Sequence, residues 1–254
     1  MKIRAVASNT FKEAIRDRVL YLLLFFAVIS LISSRILALL TVGDKIKIIM
    51  DVGLASISLF GVLMAILMGT GLVYKEIDKK TIYTLLSKPI NRLQFLLGKF
   101  FGLMATLFIM LVFMSLIFII IFLLYSGQIT WKFFVSLGFV FLELCLITSV
   151  ALLFSCFSTP ILSSIFSLSF YVIGHLSWGL ETLIKKMKPG ITKFLTQAVY
   201  ALLPDLENFN FKSEVVHNLA IPPKIFLFSF LYGIIYTFFI LVLAMLVFRR
   251  RDFI

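Results

Sequence analysis

From Phe133 to Leu180 the chain carries no charged side chain except Glu143. As one helix rising about 1.5 Å per residue, this run would extend about 70 Å, more than twice a hydrocarbon core of about 30 Å. It must fold back as a hairpin. The bend is expected in Ser155 to Pro160, because Pro160 lacks a backbone donor and turns the residue before it away from helix. The other gaps between charges convert into spans in the same way: Val19–Val42, Val52–Tyr74, Phe100–Tyr125 and Ile225–Phe248. Six spans result, and the expected fold is an all-α membrane protein.

Composition agrees, with 61% hydrophobic residues, 14% charged residues and a mean hydropathy of +1.11, more apolar surface than a soluble domain of this length can cover. The net charge of +12 does not imply nucleic acid, because the basic side chains bracket the apolar spans and form no separate domain. Anionic lipid headgroups account for them. Lys2, Arg4, Lys12, Arg16 and Arg18, the basic residues of the Tyr74–Lys99 loop and the final Arg249, Arg250 and Arg251 are expected in the cytoplasm, with both termini. The first apolar run is long for a signal peptide and is read as retained. Cys145 and Cys156 lie about 16 Å apart along a common helix, too far for a disulfide.

Thr10 with Glu13 three residues on has the pattern of a capping box, so a helix starting at Phe11 is expected to lead into the first span. Residues 1–18 would then form either an interfacial helix or an ordinary charged flank. In the outer segment, 181–224, the residues Ile191, Phe194, Leu195, Ala198, Val199 and Leu202 recur at helical spacing. An amphipathic helix is expected there, followed by irregular chain through LPDLENFNF. It gates a pathway, meets an outside partner or covers the bilayer surface. The sequence contains no internal repeat or low-complexity tract.

The segment 75–99 is charged, yet it keeps an apolar stripe. At 100° per residue Tyr74, Ile77, Thr81 and Leu85 share one helix face, with Glu76, Lys79, Lys80 and Tyr83 opposite. That helix should end near Ser87, since Pro89 drives Lys88 out of the helical region. Asn91 with Gln94 then restarts a helix that continues into the third span. The stripe suits docking into a groove on another protein or lying on the membrane.

Glu76, Thr81, Leu85, Leu86, Ser87, Lys88, Pro89, Arg92, Gly98 and Lys99 form a pattern that resembles the first cytoplasmic loop of ABC-2 type transporter permeases. Lys80 stands where many members have glycine. The six spans and the closing FRRRDF are also similar, so the likeness covers essentially the whole chain, 1–254, as one permease domain. LPDLENFNF before the last span resembles the branch associated with maturation of multicopper enzymes and nitrous oxide reductase. The resemblance implies the type V exporter-like permease fold in a prokaryotic cytoplasmic membrane. It implies a permease that pairs with a second copy or a homologous permease and docks two separate ABC ATP-binding subunits through a coupling helix at 75–99. It also implies that this chain carries no cofactor, with ATP and Mg bound by the partner. Consistently, no GxxxxGK[ST] loop occurs, since Gly98-Lys99 is followed by Phe100. Glu76 would orient the coupling helix, with Ile77, Thr81, Leu85, Leu86 and Ser87 on it and Pro89 at its bend. Lys88, Arg92, Gly98 and Lys99 would anchor lipid or partner.

Within the bilayer the exceptional residue is Glu143, because an ionised carboxylate there is costly and usually meets a partner or an aqueous cavity. Arg35 is the expected partner, at a depth within about 5 Å of it; the pair is structural or lines a pathway. His175 and His217 have no metal-spaced companions, and no catalytic or metal site is expected. Met64 and Met68 share a helix face, either as packing or as a Cu(I) contact. Gly98-x-x-x-Gly102 would admit a close helix neighbour. The competing classes are a standalone secondary transporter or channel and a non-transporting member of an ATPase-linked membrane complex. The first would show repeated halves and several intramembrane charges, and neither is present in the sequence. An outside accessory protein remains compatible with the outer segment.

Overall fold

The computed structural model describes residues 2–40, 44–78, 91–124, 128–177, 190–202, 204–220 and 222–250, with the single positions 179, 184, 186 and 187. The helices are α1 (Lys2–Ile15), α2 (Arg18–Leu39), α3 (Lys45–Asp78), α4 (Arg92–Leu123), α5 (Trp131–Ser155), α6 (Pro160–His175), α7 (Ile191–Leu202), α8 (Lys212–Val216) and α9 (Pro223–Arg250). A 3₁₀ turn, Leu206–Phe209, separates α7 from α8. The fold is all-α. Among the described residues five helices, α2, α3, α4, α5 and α9, are long and apolar enough to cross a membrane, and α6 is a shorter apolar helix of 16 residues.

Local signals set most of the boundaries. Asp17 is extended and accepts the Val19 N–H at 3.0 Å, which starts α2. Asn91 opens α4, with its own N–H donated to Gln94 Oε1 at 3.3 Å. Pro160 occupies the first turn of α6, where its missing donor costs nothing, and the hairpin bend falls between Ser155 and Pro160 as expected. Ser158 and Ser163 close that bend through a 2.6 Å hydroxyl contact.

One expected boundary is wrong. Thr10 is not an N-cap: α1 begins at Lys2, and Thr10 lies inside it, donating from Oγ1 to the Val6 carbonyl at 3.0 Å. Glu13 is therefore released from capping for another contact.

α3, α4 and α5 form the centre, with α2 against α3, α9 against α5 and α1 against α4. In the most apolar windows of α3 and α5, 67% of residues are buried, against 22% in α2 and 28% in α9. α2 and α9 thus flank the centre with most of their apolar surface exposed. The core stacks Phe118 between Phe122 and Phe133, at 5.6 Å and 5.4 Å between ring centroids. Intramembrane hydroxyls return to their own helices, Thr70 to Ile66 and Thr148 to Leu144. Two also bridge helices, Ser30 with Ser56 at 2.8 Å and Thr70 with Ser164 at 2.9 Å.

Residues 204–211 are irregular as expected apart from the 3₁₀ turn, and they pack inward. Asp205 accepts the Glu207 N–H and starts the 3₁₀ turn, and Leu206, Phe209, Phe211 and Val215 are buried in the main core. Phe211 packs on Phe139 of α5 at 4.4 Å. α7 forms as expected, with Ile191 and Phe194 exposed.

Candidate functional site

Two sites emerge, one where α4 begins and α9 ends and one around the middle of α5. Where α4 begins and α9 ends, Arg92 occupies the first turn of α4. Its Nη1 donates to the carbonyls of Phe248 at 3.3 Å and Arg249 at 2.8 Å. These belong to the last turn of α9, whose carbonyls lack intrahelical partners and whose dipole favours a cation. Phe95 stacks on Phe248 at 5.9 Å, and Val6, Leu96, Cys156 and Ala244 complete a small separate core. That core joins α1, α4, α9 and the end of α5.

The next turns of α4 receive α1. A Cβ at Gly98 would lie 2.5 Å from Val6 Cβ, and one at Gly102 would lie 2.6 Å from the Ala7 carbonyl oxygen. Only glycine permits this approach, so Gly98-x-x-x-Gly102 serves a contact within the chain. Lys99 lies between them with its side chain 1% exposed, its Nζ 3.4 Å from Glu13 Oε2 and 5.8 Å from the centre of the Phe95 ring. A lysine so buried requires a compensating charge. The expected lipid or partner contact of Lys99 is therefore corrected to an internal ion pair. Its sequence signal was Glu13, misassigned to the capping box.

In the middle of α5, Glu143 is 2% exposed, and the expected pairing with Arg35 is also corrected. Its Oε1 lies 2.7 Å from His175 Nε2 at the end of α6, while Arg35 is on an exposed face of α2. His175 Nδ1 lies 3.4 Å from Glu207 Oε2 in the 3₁₀ turn, so both ring nitrogens face carboxylates. Ser177 donates to Asp205 Oδ1 at 2.6 Å, and the Asp205 N–H donates to the Tyr232 hydroxyl at 2.9 Å. This network ties Asp205 and Glu207 to α5, α6 and α9. The reading from sequence discounted His175 for want of metal-spaced neighbours and did not weigh it as a counter-ion.

A family model for ABC-2 family transporter proteins matches residues 4–253. The chain belongs to that family. A comparison with curated proteins finds no match. The chain is accordingly a permease, a multi-pass membrane component of an ABC transporter, a kind of subunit that in general works with an ABC ATP-binding partner and in prokaryotes resides in the cytoplasmic membrane.

In this permease Glu76 and Ile77 fall in the last turns of α3. Thr81, Leu85, Leu86, Ser87, Lys88 and Pro89 lie outside the described residues. Met64 and Met68 are buried in the main core, at 0% and 3% exposure, where they pack against apolar neighbours. Among the described residues no group of three or more His, Cys, Asp or Glu is placed to hold a metal ion. A cleft of about 480 Å³ opens between α2, α3 and α6, walled by Val19, Leu67, Ile161 and Ile165 and crossed by the Thr70–Ser164 pair.

Proposed function

We propose that this permease exports a substrate across the cytoplasmic membrane, driven by ATP binding and hydrolysis in two separate subunits docked on 75–99. The observation that supports this most is the anchoring of α4 at the loop's exit. Arg92 holds the end of α9, Gly98 and Gly102 seat α1, and Lys99 pairs with Glu13. α3, which leads into the loop, is a continuous helix of 34 residues. A displacement applied between Asp78 and Asn91 would pass into α3 on one side and into α4, α1 and α9 on the other. Such a lever suits a chain that must convert a partner's closure into movement of spans.

In this reading both termini and the loop are cytoplasmic. Glu76 orients the coupling helix, Leu85 and Leu86 enter a groove on the ATP-binding subunit, and Pro89 sets the bend. ATP and Mg²⁺ are handled by that partner. A second permease copy completes the assembly, and the alternation of inner and outer access follows from tilting of α3 and α4.

The test is co-purification of the permease with its ATP-binding subunit in mild detergent, for wild type and Leu85→Asp, with ATPase activity assayed on both. Loss of the subunit with Leu85→Asp, while the permease stays folded, is the expected result. A wild-type permease that is intact but brings no nucleotide-binding partner overturns the proposal.

A further inference from the structure

His175 is the last residue of α6, and its two ring nitrogens meet two different carboxylates, Nε2 at 2.7 Å from Glu143 Oε1 and Nδ1 at 3.4 Å from Glu207 Oε2. A neutral imidazole carries one N–H and one lone pair, and an ionised carboxylate only accepts. A neutral ring between two carboxylates would leave one nitrogen lone pair against an oxygen lone pair. Both contacts are satisfied together only when the three groups share two protons.

The geometry favours both protons on the ring. The 2.7 Å contact has the length of a hydrogen bond between an ionised donor and an ionised acceptor. The last turn of a helix is the negative end of its dipole, which stabilises a cation there. Burial of the ring, 20% exposed, and the charge of Lys212 in α8 act against it. Among the described residues the other polar groups nearby are Tyr171 of α6, edge-on to the ring at 4.6 Å, and Ser58 of α3 beside the Tyr171 hydroxyl. Asp205 lies in the same turn as Glu207 and is held by Ser177 and by Tyr232 of α9.

We propose that Glu143, His175 and Glu207 form a proton-binding site, in which a doubly protonated His175 bridges the two carboxylates and loss of the Nδ1 proton unfastens Glu207 and its 3₁₀ turn from α6. The Nδ1 side yields first, because its contact is the longer one and the Glu207 side chain is 44% exposed against 2% for Glu143. The proton passes to water, and Nε2 keeps its own proton on Glu143. Bare Nδ1 and Glu207 Oε2 are then two acceptors, so Glu207 turns away while its Oε1 keeps the Asn210 amide donated at 2.9 Å. Asp205 stays tied to Ser177 and Tyr232, and Leu206 and Phe209 stay buried, so the turn loosens at one corner without leaving the core. The latch is fastened while the proton is bound and opens as pH rises. The inference does not depend on how 75–99 meets a partner.

The chain has two histidines, His175 and the exposed His217, so permease labelled with ¹⁵N only at histidine gives two imidazoles. Their ring-nitrogen shifts, followed in detergent from about pH 5 to about pH 9 and assigned with His217→Gln, read how many protons each ring holds. His175 should hold two at neutral pH and lose the one on Nδ1 as pH rises, keeping Nε2–H. Hydrogen exchange of the 207–210 amides, divided by the intrinsic rate, should rise severalfold over the same interval. Glu207→Gln alters an exposed side chain, and its amide can accept from Nδ1–H or donate to bare Nδ1. In that variant the ring should lose its second proton at a pH where wild type keeps it, and the rise in exchange should vanish. A His175 ring fixed in one protonation state throughout the range, a wild-type turn whose exchange ignores the ring's titration, or identical ring titrations in wild type and Glu207→Gln would each overturn the proposal.

Discussion

At the scale of single residues, the most consequential contacts are ionic and buried, and each has a measurable weight. Glu143 is buried inside the bundle and meets His175 at 2.7 Å, so removing one partner leaves the other's polar group uncompensated. Replacing His175 with Ala should lower stability by about 3 kcal/mol, read as a fall in thermal unfolding temperature in detergent. Glu143→Gln should cost less, since the amide still accepts a hydrogen bond and buries no charge. Reversing the charge at Arg35 should not rescue a reversal at Glu143. Lys99 and Glu13 permit a double-mutant cycle, in which Lys99→Met and Glu13→Gln should couple by about 0.5–3 kcal/mol. The residue types at both sites were legible in the sequence, but their partners were not. Depth along a span pointed to the nearest formal charge, Arg35, while the actual counter-ion is an imidazole that a count of formal charges leaves out.

At the scale of elements, the spans were legible because the bilayer imposes a length and the charges mark its limits. Pro160 located the hairpin for a local reason that tertiary packing did not override. α1 and the outer segment were misread because their signals are tertiary. Thr10 and Glu13 fit a capping box as well as they fit a helix interior, and only the seat at Gly98 and Gly102 decides between them. Likewise Leu206, Phe209 and Phe211 alternate with acids and asparagines, which reads as irregular chain and gives no sign of the burial that α5 and α6 supply. The seat makes its own prediction. Gly102→Leu should force α1 off α4 at a cost of at least about 1–3 kcal/mol, and limited proteolysis should then cut within residues 2–15 while the spans stay intact.

At the scale of the whole molecule, the charged end is built as one joint and the opposite end as a tethered cover. Arg92 is the residue through which the loop's exit reaches the final helix, so its replacement tests transmission apart from docking. With Arg92→Gln the ATP-binding subunit should still co-purify, and its ATPase activity should persist while transport by reconstituted vesicles falls severalfold. Loss of the subunit in this variant would place Arg92 in docking instead.

α6 has a further consequence for the surrounding bilayer. Its 16 residues span about 24 Å, short of a hydrocarbon core of about 30 Å, and the 3₁₀ turn reaches down to its end through Glu207 and His175. Backbone of this irregular kind is tolerated at such depth where protein surrounds it. A span of that length predicts local thinning of the bilayer beside α6, so the permease's stability should rise in vesicles of shorter-chain lipids and fall in thicker ones.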